Sequence, residues 1–360
     1  MTLLVTGGAG FIGSNFVLDW LAHNDEPVVN VDALTYAGNR ANLAALDGDP
    51  RHHFVHGDIC DRALLERLFS EHRPRAVIHL AAESHVDRSI DNPGAFLRTN
   101  VDGTFALLEA ARVWLATQPD AVRNAFRFVH VSTDEVYGAL EPHAPPFTEK
   151  HSCLPNSPYS ASKAASDHLV RAWHHTWKLP TLITRCSNNY GPFQFPEKLI
   201  PLLLIRALRG ETLPLYGDGR QVRDWLYVGD HCAALRAVLA HGEPGETYNI
   251  GGWNELRNVD LLEQLCALLD ARRPDPGGPY ARLLRHVADR PGHDRRYAID
   301  ARKIATELGW KPRHTFTSGL ARTVDWYLAH PQWLADIERG EYRHWMDRHY
   351  AAEPGAAGEH

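Results

Sequence analysis

The 360-residue sequence predicts an α/β fold in which a doubly wound, mostly parallel sheet is joined by a smaller, discontinuous second domain. Three observations lead to this prediction. Short apolar runs typical of β-strands alternate with stretches of helical periodicity. The first run leads directly through a glycine-rich turn into a helix. The hydrophobic fraction of 44% is that of a globular protein large enough to bury such a core.

The strand-like runs follow one another along the first half of the chain, at residues 3–5, 28–31, 53–55, 76–80, 127–131 and 182–184. Stretches with helical spacing separate most of them, at residues 15–23, 62–72, 101–116 and 161–177. Such alternation builds a parallel sheet, and helices on both faces make it doubly wound.

Beyond residue 185 the alternation loosens. We expect a polar loop at 188–196, a helix at 198–209, a charged turn at 218–224, and renewed strands and helices at 225–239 and 247–251. The first domain is therefore assigned to residues 1–185 and 225–250, the second to 186–224 and 251–345, and a tail to 346–360. Residues 141–158, with five prolines, form either a lid or a passive surface loop.

The composition excludes several classes of protein. A formal net charge of -6 gives no basic field for binding nucleic acid. The five cysteines stand singly, which argues against a disulfide scaffold and a zinc site, and the scattered histidines supply no set of metal ligands. No apolar stretch reaches the about 20 residues that span a bilayer, and the N-terminus has no signal-peptide pattern. We therefore expect a cytoplasmic protein without a metal, a membrane partner or a nucleic-acid partner.

The glycine-rich turn is typical of a Rossmann-type dinucleotide site. Gly7, Gly10 and Gly13 lie where backbone amides and a helix N-terminus can approach a pyrophosphate. Asp32 ends the second strand roughly twenty residues later, as expected for a carboxylate on the adenosine ribose. That acid repels a 2′-phosphate, so the sequence favours NAD over NADP. Asp58 is suited to the adenine edge, and the alternative is a structural role in a turn or a helix cap.

Tyr159 and Lys163 form a Tyr-x-x-x-Lys pair suited to hydride transfer, since on a helix they are i,i+4 neighbours on one face. To act as a base near neutral pH, the phenol must lose about three pKa units, roughly 4 kcal/mol. The Lys163 ammonium and an oxidised nicotinamide can supply this together. Thr133, at the end of a strand, can donate a hydrogen bond to the same substrate oxygen. The alternative is an exposed Tyr and Lys on an ordinary helix.

Asp134 and Glu135 place two carboxylic acids beside this pair. Adjacent residues point in different directions, which suits a base for a C–H and an acid for a leaving hydroxyl. Two close carboxylates raise one another's pKa, so one of them can be protonated at neutral pH. The sequence therefore predicts a dehydratase that uses oxidation and reduction as intermediate steps. Alternatively, the two acids cap a turn or solvate the strand end.

Six segments carry a family pattern: TGGAGFIG at 6–13, HLAAESHVD at 79–87, STDEVYG at 132–138, YSASK at 159–163, NNYGP at 188–192 and RPGHD at 290–294. Together they resemble the extended short-chain dehydrogenase/reductase family and, within it, the dTDP-glucose 4,6-dehydratases. The resemblance extends to about residue 330. Related dehydratases and decarboxylases usually carry Ser where Asp134 stands, and epimerases lack the acid pair.

The resemblance implies conversion of dTDP-glucose to dTDP-4-keto-6-deoxyglucose, with NAD regenerated in each turnover. Tyr159 would take the C4 hydroxyl proton and Glu135 the C5 proton, while Asp134 would protonate the departing C6 hydroxyl. Two alternatives stay open at this point. One is another NAD-dependent epimerase, decarboxylase or dehydratase of a nucleotide sugar, and the other is a non-catalytic sensor of NAD or a nucleotide.

Further contacts are implied by the same resemblance. Those with the cofactor are Gly7, Gly10, Phe11, Ile12, Gly13, Asp32, Asp58, Ile59, Leu80, Ala81, Ala82, Ser84, Thr99, Tyr159, Lys163 and Asn189. Those with the substrate are Ser84, Thr133, Asn188, Lys198, Leu199, Pro214, Leu215, Tyr216, Arg223, Asn258, Arg290 and His293. The apolar character of helices 101–116 and 161–177 on more than one face fits the homodimer of the family, or burial within one subunit.

Overall fold

The computed structural model describes residues 2–288 and 295–338. Its strands are β1 (Leu3–Thr6), β2 (Val28–Asp32), β3 (His52–His56), β4 (Ala76–His79), β5 (Arg127–Thr133), β6 (Thr181–Cys186), β7 (Asn188–Tyr190), β8 (Leu213–Tyr216), β9 (Val222–Tyr227), β10 (Thr247–Ile250), β11 (Glu255–Arg257) and β12 (Leu284–Val287). Seven of them form a parallel sheet in the order β10-β6-β5-β4-β1-β2-β3. The strand order reverses between β1 and β4, which creates a ligand crevice at the carboxyl ends of the strands.

Helices cover both faces of this sheet, which confirms the predicted doubly wound α/β fold. They are α1 (Phe11–His23), α2 (Arg62–His72), α3 (Val86–Asp91), α4 (Pro93–Phe96), α5 (Thr104–Ala116), α6 (Asp120–Ala125), α7 (Pro158–Trp177), α8 (Leu199–Leu208), α9 (Val228–His241), α10 (Asn258–Arg272), α11 (Arg302–Leu308), α12 (Phe316–Ala329) and α13 (Pro331–Glu338). On one face α1 and α9 bury Phe16 and Leu235, and on the other α2, α5 and α7 bury Leu65, Leu107 and Val170. Within residues 2–288 and 295–338, no helix combines the length and apolar character needed to cross a membrane.

Two smaller sheets lie beside the main one, β11-β9-β7 and β12-β8. The expected polar loop at 188–196 is wrong at its start, because Asn188–Tyr190 is strand β7 and pairs with β9. The expected charged turn at 218–224 is also too long, because β9 begins at Val222. These sheets and helices α8, α10 and α12 surround a separate apolar cluster that includes Leu203, Leu265 and Phe316. The exact domain boundaries stay a prediction.

Three helices begin earlier than their apolar periodicity suggests. The helix expected at 15–23 begins at Phe11. The helix expected at 101–116 continues back through a π-helical turn, Leu97–Gly103, to α4 at Pro93. The helix expected at 161–177 begins at Pro158, because Ser157 and Ser160 form a capping box. This earlier start places Tyr159 in the first turn of α7.

The proline-rich segment 141–158 is attached to the body of the protein. The Phe147 N–H donates to the carbonyl of Ala298 at 3.0 Å, and the Phe147 ring stacks on Tyr137 at a centroid distance of 5.1 Å. The Leu154 N–H donates to the Val136 carbonyl at 3.0 Å. These contacts favour the surface-loop interpretation for most of the segment, whose last residues, 156–158, reach the cavity described next.

Candidate active site

A cavity of about 960 Å³ lies at the carboxyl ends of β1, β2, β4, β5 and β6, next to the two smaller sheets. Its lining contains the predicted catalytic, cofactor and substrate residues with three exceptions. Leu215 is buried in the apolar cluster beside the smaller sheets, with 2% of its surface exposed. Arg290 and His293 fall outside the described residues. The individual roles of the lining residues stay predictions.

The glycine-rich end of the cavity has no room for side chains. Gly7 has a φ of +74°, and a Cβ there would lie 2.6 Å from the backbone nitrogen of Ala81. A Cβ on Gly13 would overlap the Gly7 carbonyl oxygen. The Asp32 carboxylate accepts hydrogen bonds from the Ala9 and Leu34 backbone amides, both at 2.8 Å. The turn and the acid are therefore fixed at the N-terminus of α1, an arrangement that fits the pyrophosphate and ribose of a dinucleotide.

Asp58 lies at the rim of this end. Its Oδ1 accepts the Cys60 N–H at 2.8 Å, and its Oδ2 is 3.6 Å from Arg98. Both side chains of the ion pair are largely exposed, so the pair contributes little to stability. This position is compatible with the expected contact to an adenine edge.

Tyr159 and Lys163 both face the cavity from the first turns of α7. The Lys163 ammonium donates to the Val131 carbonyl at 2.8 Å, and burial lowers the pKa of Lys163 to about 8. Burial and then the charge of Glu135 raise the pKa of Tyr159 well above 10, against the effect of its hydrogen bond with Thr133. The protein groups alone therefore keep Tyr159 protonated. The expected lowering of its pKa needs the positive charge of a bound cofactor.

The acid pair forms a 3-10 turn, Asp134–Tyr137, directly after β5. Asp134 is 3% exposed, and its Oδ1 accepts from the Thr133 hydroxyl at 3.4 Å. Its Oδ2 has no hydrogen-bond partner among the described residues. Burial, followed by the charges of Glu135 and Asp224, raises the pKa of Asp134 well above its usual value. This shift favours the protonated form of Asp134, and protonation at neutral pH stays a prediction.

The opposite end of the cavity carries cations and amides. The Lys198 ammonium donates to the Ser84 carbonyl at 3.1 Å, and the Arg223 guanidinium lies 4.6 Å from the centre of the Tyr297 ring. Asn258 Oδ1 is buried without a hydrogen-bond partner in the described part of the chain. A buried amide oxygen of this kind is stabilised when a ligand donates to it. The cations suit a diphosphate group.

The sequence did not indicate Glu197, which also lines the cavity. Glu197 is 5% exposed, and its Oε2 accepts from Arg88 Nε at 3.2 Å. The Arg88 guanidinium in turn lies 3.7 Å from the centre of the Tyr36 ring. Burial raises the pKa of Glu197. The available signal was an acid directly preceding the predicted substrate residue Lys198, at the start of a helix.

The chain has relatives that match it over nearly its full length. A protein-family model described as GDP-mannose 4,6 dehydratase matches residues 4–323. The dTDP-glucose 4,6-dehydratase of Xanthomonas campestris pv. campestris is 61% identical over 343 residues, which cover 95% of this chain and 97% of the relative. The chain belongs to the dTDP-glucose 4,6-dehydratase family. Another member, dTDP-glucose 4,6-dehydratase 1 of Escherichia coli, is 55% identical over 97% of this chain and 99% of its own length.

Solved structures of the dTDP-glucose 4,6-dehydratase family share this fold. DesIV, a dTDP-glucose 4,6-dehydratase from Streptomyces venezuelae solved with NAD bound, aligns with a TM-score of 0.85 and 50% identity, over 94% of this chain and 100% of that chain. A UDP-glucose 4-epimerase from Thermotoga maritima aligns with a TM-score of 0.81 and 31% identity, over 92% of this chain and 100% of that chain. Because both kinds of enzyme have this fold, the distinction between them has to come from site residues.

Proposed function

We propose that the protein is an NAD-dependent hydro-lyase that converts dTDP-glucose to dTDP-4-keto-6-deoxyglucose. The observation that carries the proposal is Asp134, a buried acid with a raised pKa, next to Glu135 and in the same cavity as Tyr159 and Lys163. An epimerase or a decarboxylase does not need this second acid. A sensor needs neither the acids nor the Tyr–Lys pair. The names of relatives 61% and 55% identical to this chain support the same choice.

NAD fits the glycine-rich end of the cavity. Gly7 and Gly13 leave the backbone of the turn open to a pyrophosphate, and Asp32 is held where it can accept from ribose hydroxyls. The same carboxylate repels a 2′-phosphate, which favours NAD over NADP. When bound, NAD accepts a hydride from C4 of the sugar and later returns it to C6.

The chain's own side chains move the protons. Tyr159 takes the C4 hydroxyl proton as that carbon becomes a ketone, and Thr133 donates a hydrogen bond to the same oxygen. The ketone acidifies the C5 proton, which Glu135 removes as a general base and gives back to C5 when the hydride adds to C6. Asp134, whose buried position favours its protonated form, gives its proton to the C6 hydroxyl, which leaves as water. The Lys163 ammonium stabilises the Tyr159 phenolate during the first step.

The test is incubation of the protein with dTDP-glucose and NAD, followed by mass analysis of the sugar nucleotide. We expect the loss of one water. In heavy water the product should also carry solvent deuterium at C5, because Glu135 exchanges its proton before the hydride returns. An unchanged mass, or formation of a C4 epimer alone, would overturn the proposal. UDP-glucose in a parallel reaction measures the preference for the thymine base.

Replacement of the proposed base, Glu135→Gln, should allow the first oxidation and block elimination, because an amide nitrogen cannot accept the C5 proton. The absorbance of the reduced nicotinamide should build up slowly, with little product. The matched control is Glu149→Gln, which changes a partly buried acid outside the cavity. This control should form product normally. Full turnover by the Glu135 variant would remove Glu135 from the role of base.

We also propose that the protein is a homodimer. The helical segment around α5 and the end of α7 expose four large apolar side chains, with exposed fractions of 55% for Leu97, 44% for Phe105, 41% for Val113 and 47% for Trp177. Exposed apolar residues on two packed helices are typical of a subunit interface. Light scattering should give twice the mass of one chain. Combined replacement of Phe105 and Trp177 by Asp should halve that mass, and an unchanged mass would place the interface elsewhere.

A further inference from the structure

Behind Lys163 lies a buried cluster of ionisable side chains that the proposed mechanism does not use. Asp167, Arg185, His130 and His79 are 1%, 7%, 0% and 1% exposed, and they come from α7, β6, β5 and β4. Asp167 lies one helical turn after Lys163. Because residues four apart share a helix face, Tyr159, Lys163 and Asp167 follow one another along the same side of α7.

Asp167 is the acid of this cluster. Its Oδ2 accepts from Arg185 Nε at 2.9 Å, and its Oδ1 is 3.4 Å from His130 Nε2. Burial alone would raise the pKa of Asp167, but the contact with His130 and the charges of Arg185 and Lys163 lower it to about 2. Asp167 is therefore an anion at neutral pH.

The charge balance of the cluster depends on this one anion. Burial lowers the pKa of His130 to about 4 and that of His79 well below its usual value, so both imidazoles are neutral. Arg185 pairs directly with this carboxylate, and Lys163, also buried, lies one helical turn before Asp167 on the same side of α7. Arginine does not give up its proton in proteins, whereas a buried lysine does so readily. Loss of the Asp167 carboxylate would therefore lower the pKa of Lys163 and favour its deprotonated form.

We infer that Asp167 is a positioning residue for the reaction, whose buried carboxylate keeps the Lys163 ammonium charged one helical turn from Tyr159. This inference rests on the proposed function, since it concerns the same proton transfer at C4. The ionisable groups around Lys163 from each packed element are Tyr159 and Asp167 on α7, His79 on β4, His130 on β5, Asp134 and Glu135 after β5, and Arg185 and Cys186 on β6. Burial lowers the pKa of Lys163. Among the groups that raise this pKa, Asp167 has the largest effect.

The first test is the pH profile of kcat for Asp167→Asn, which keeps the shape of the side chain and removes its charge. The alkaline limb should move to lower pH by about one unit or more, because Lys163 loses its proton sooner, and the rates should converge in acid. Asp167→Glu, which keeps the charge, should return the alkaline limb of the profile to its wild-type position. The control Asp230→Asn removes an equally buried acid that pairs with His314 at 3.0 Å, and it should leave the limb in place. A uniform loss of rate at every pH would mean that Asp167 is merely structural.

The second test needs no turnover. The chain has only six lysines, Lys150, Lys163, Lys178, Lys198, Lys303 and Lys311, so NMR of lysine labelled with carbon-13 at Cε can follow each one. The Lys163→Arg variant assigns its signal. In the wild-type protein without ligands, Lys163 should be charged at pH 7 and titrate near 8, and in Asp167→Asn its midpoint should fall.

Either of two results would overturn the inference: equal midpoints in the two proteins, or a neutral Lys163 in the wild type at pH 7. A neutral Lys163 in the wild-type protein would overturn the inference even if Asp167→Asn does not fold. If the wild-type protein leaves dTDP-glucose unchanged, the proposed function fails, while the titration of Lys163 still decides the role of Asp167.

Discussion

Tyr159→Phe should abolish oxidation at C4, with a loss on the order of 10²–10⁴-fold in turnover, because no other group is left to take the hydroxyl proton. The remaining ring keeps its edge-on contact with Phe96, at a centroid distance of 6.3 Å, so the fold should be retained. No absorbance of the reduced nicotinamide should appear when the NAD-loaded variant is mixed with dTDP-glucose.

A matched control exists close by. Tyr137 is also buried, and its hydroxyl donates to Asn249 Oδ1 at 2.8 Å outside the cavity. Tyr137→Phe also removes a buried tyrosine hydroxyl, and it should lower the stability of the protein by about 1 kcal/mol. Oxidation at C4 should be unchanged in this variant. Normal formation of reduced nicotinamide by the Tyr159 variant would be incompatible with its assignment as the base.

Asp134→Asn should have the second large effect. Oxidation at C4 and exchange of the C5 proton with solvent should continue, but water loss should slow by about 10²–10⁴-fold, because hydroxide leaves poorly without a proton donor. The amide keeps the volume of the acid and can still accept from the Thr133 hydroxyl. Deuterium exchange at C5 without loss of water is therefore the expected observation.

A changed substrate separates acid catalysis from other roles of Asp134. Fluoride needs no proton to leave, so 6-fluoro-6-deoxy dTDP-glucose should recover much of its rate in the Asp134→Asn variant. The wild-type protein, assayed in parallel, gives the reference ratio of the rates on the two substrates. Equal impairment on both substrates would show that Asp134 acts through positioning or folding, and would reopen the decarboxylase and epimerase alternatives.

The main sheet was predictable from the sequence because a buried parallel strand is a continuous apolar run. Strand β7 could not be found in this way. Its residues, Asn188, Asn189 and Tyr190, carry no such pattern, and their extended conformation depends on pairing with β9. The start of α7 was missed for a local reason, since the capping box of Ser157 and Ser160 lies outside the apolar periodicity.

The cavity itself was predictable because motifs at the ends of parallel strands meet at one edge of the sheet. The burial of charged side chains was not predictable from the sequence. Glu197 and Asp167 acquire their importance from being 5% and 1% exposed, and their places in the sequence, next to Lys198 and four residues after Lys163, do not report that burial. The pKa of Tyr159 shows the same limit, because its upward shift depends first on burial, which a motif does not report.

The buried position of Asp134 has a consequence for the thermodynamics of folding. In the unfolded chain its carboxyl ionises near pH 4, whereas in the folded protein burial and the charge of Glu135 raise its pKa well above that. At a pH between the unfolded and the folded pKa, folding therefore takes up a proton, and each pH unit above the unfolded pKa costs about 1.4 kcal/mol. The penalty is absent in acid and grows as the pH rises. Natural selection for a ready proton donor thus opposes selection for stability at this position, and a substitution that strengthens the fold here would yield a slower catalyst.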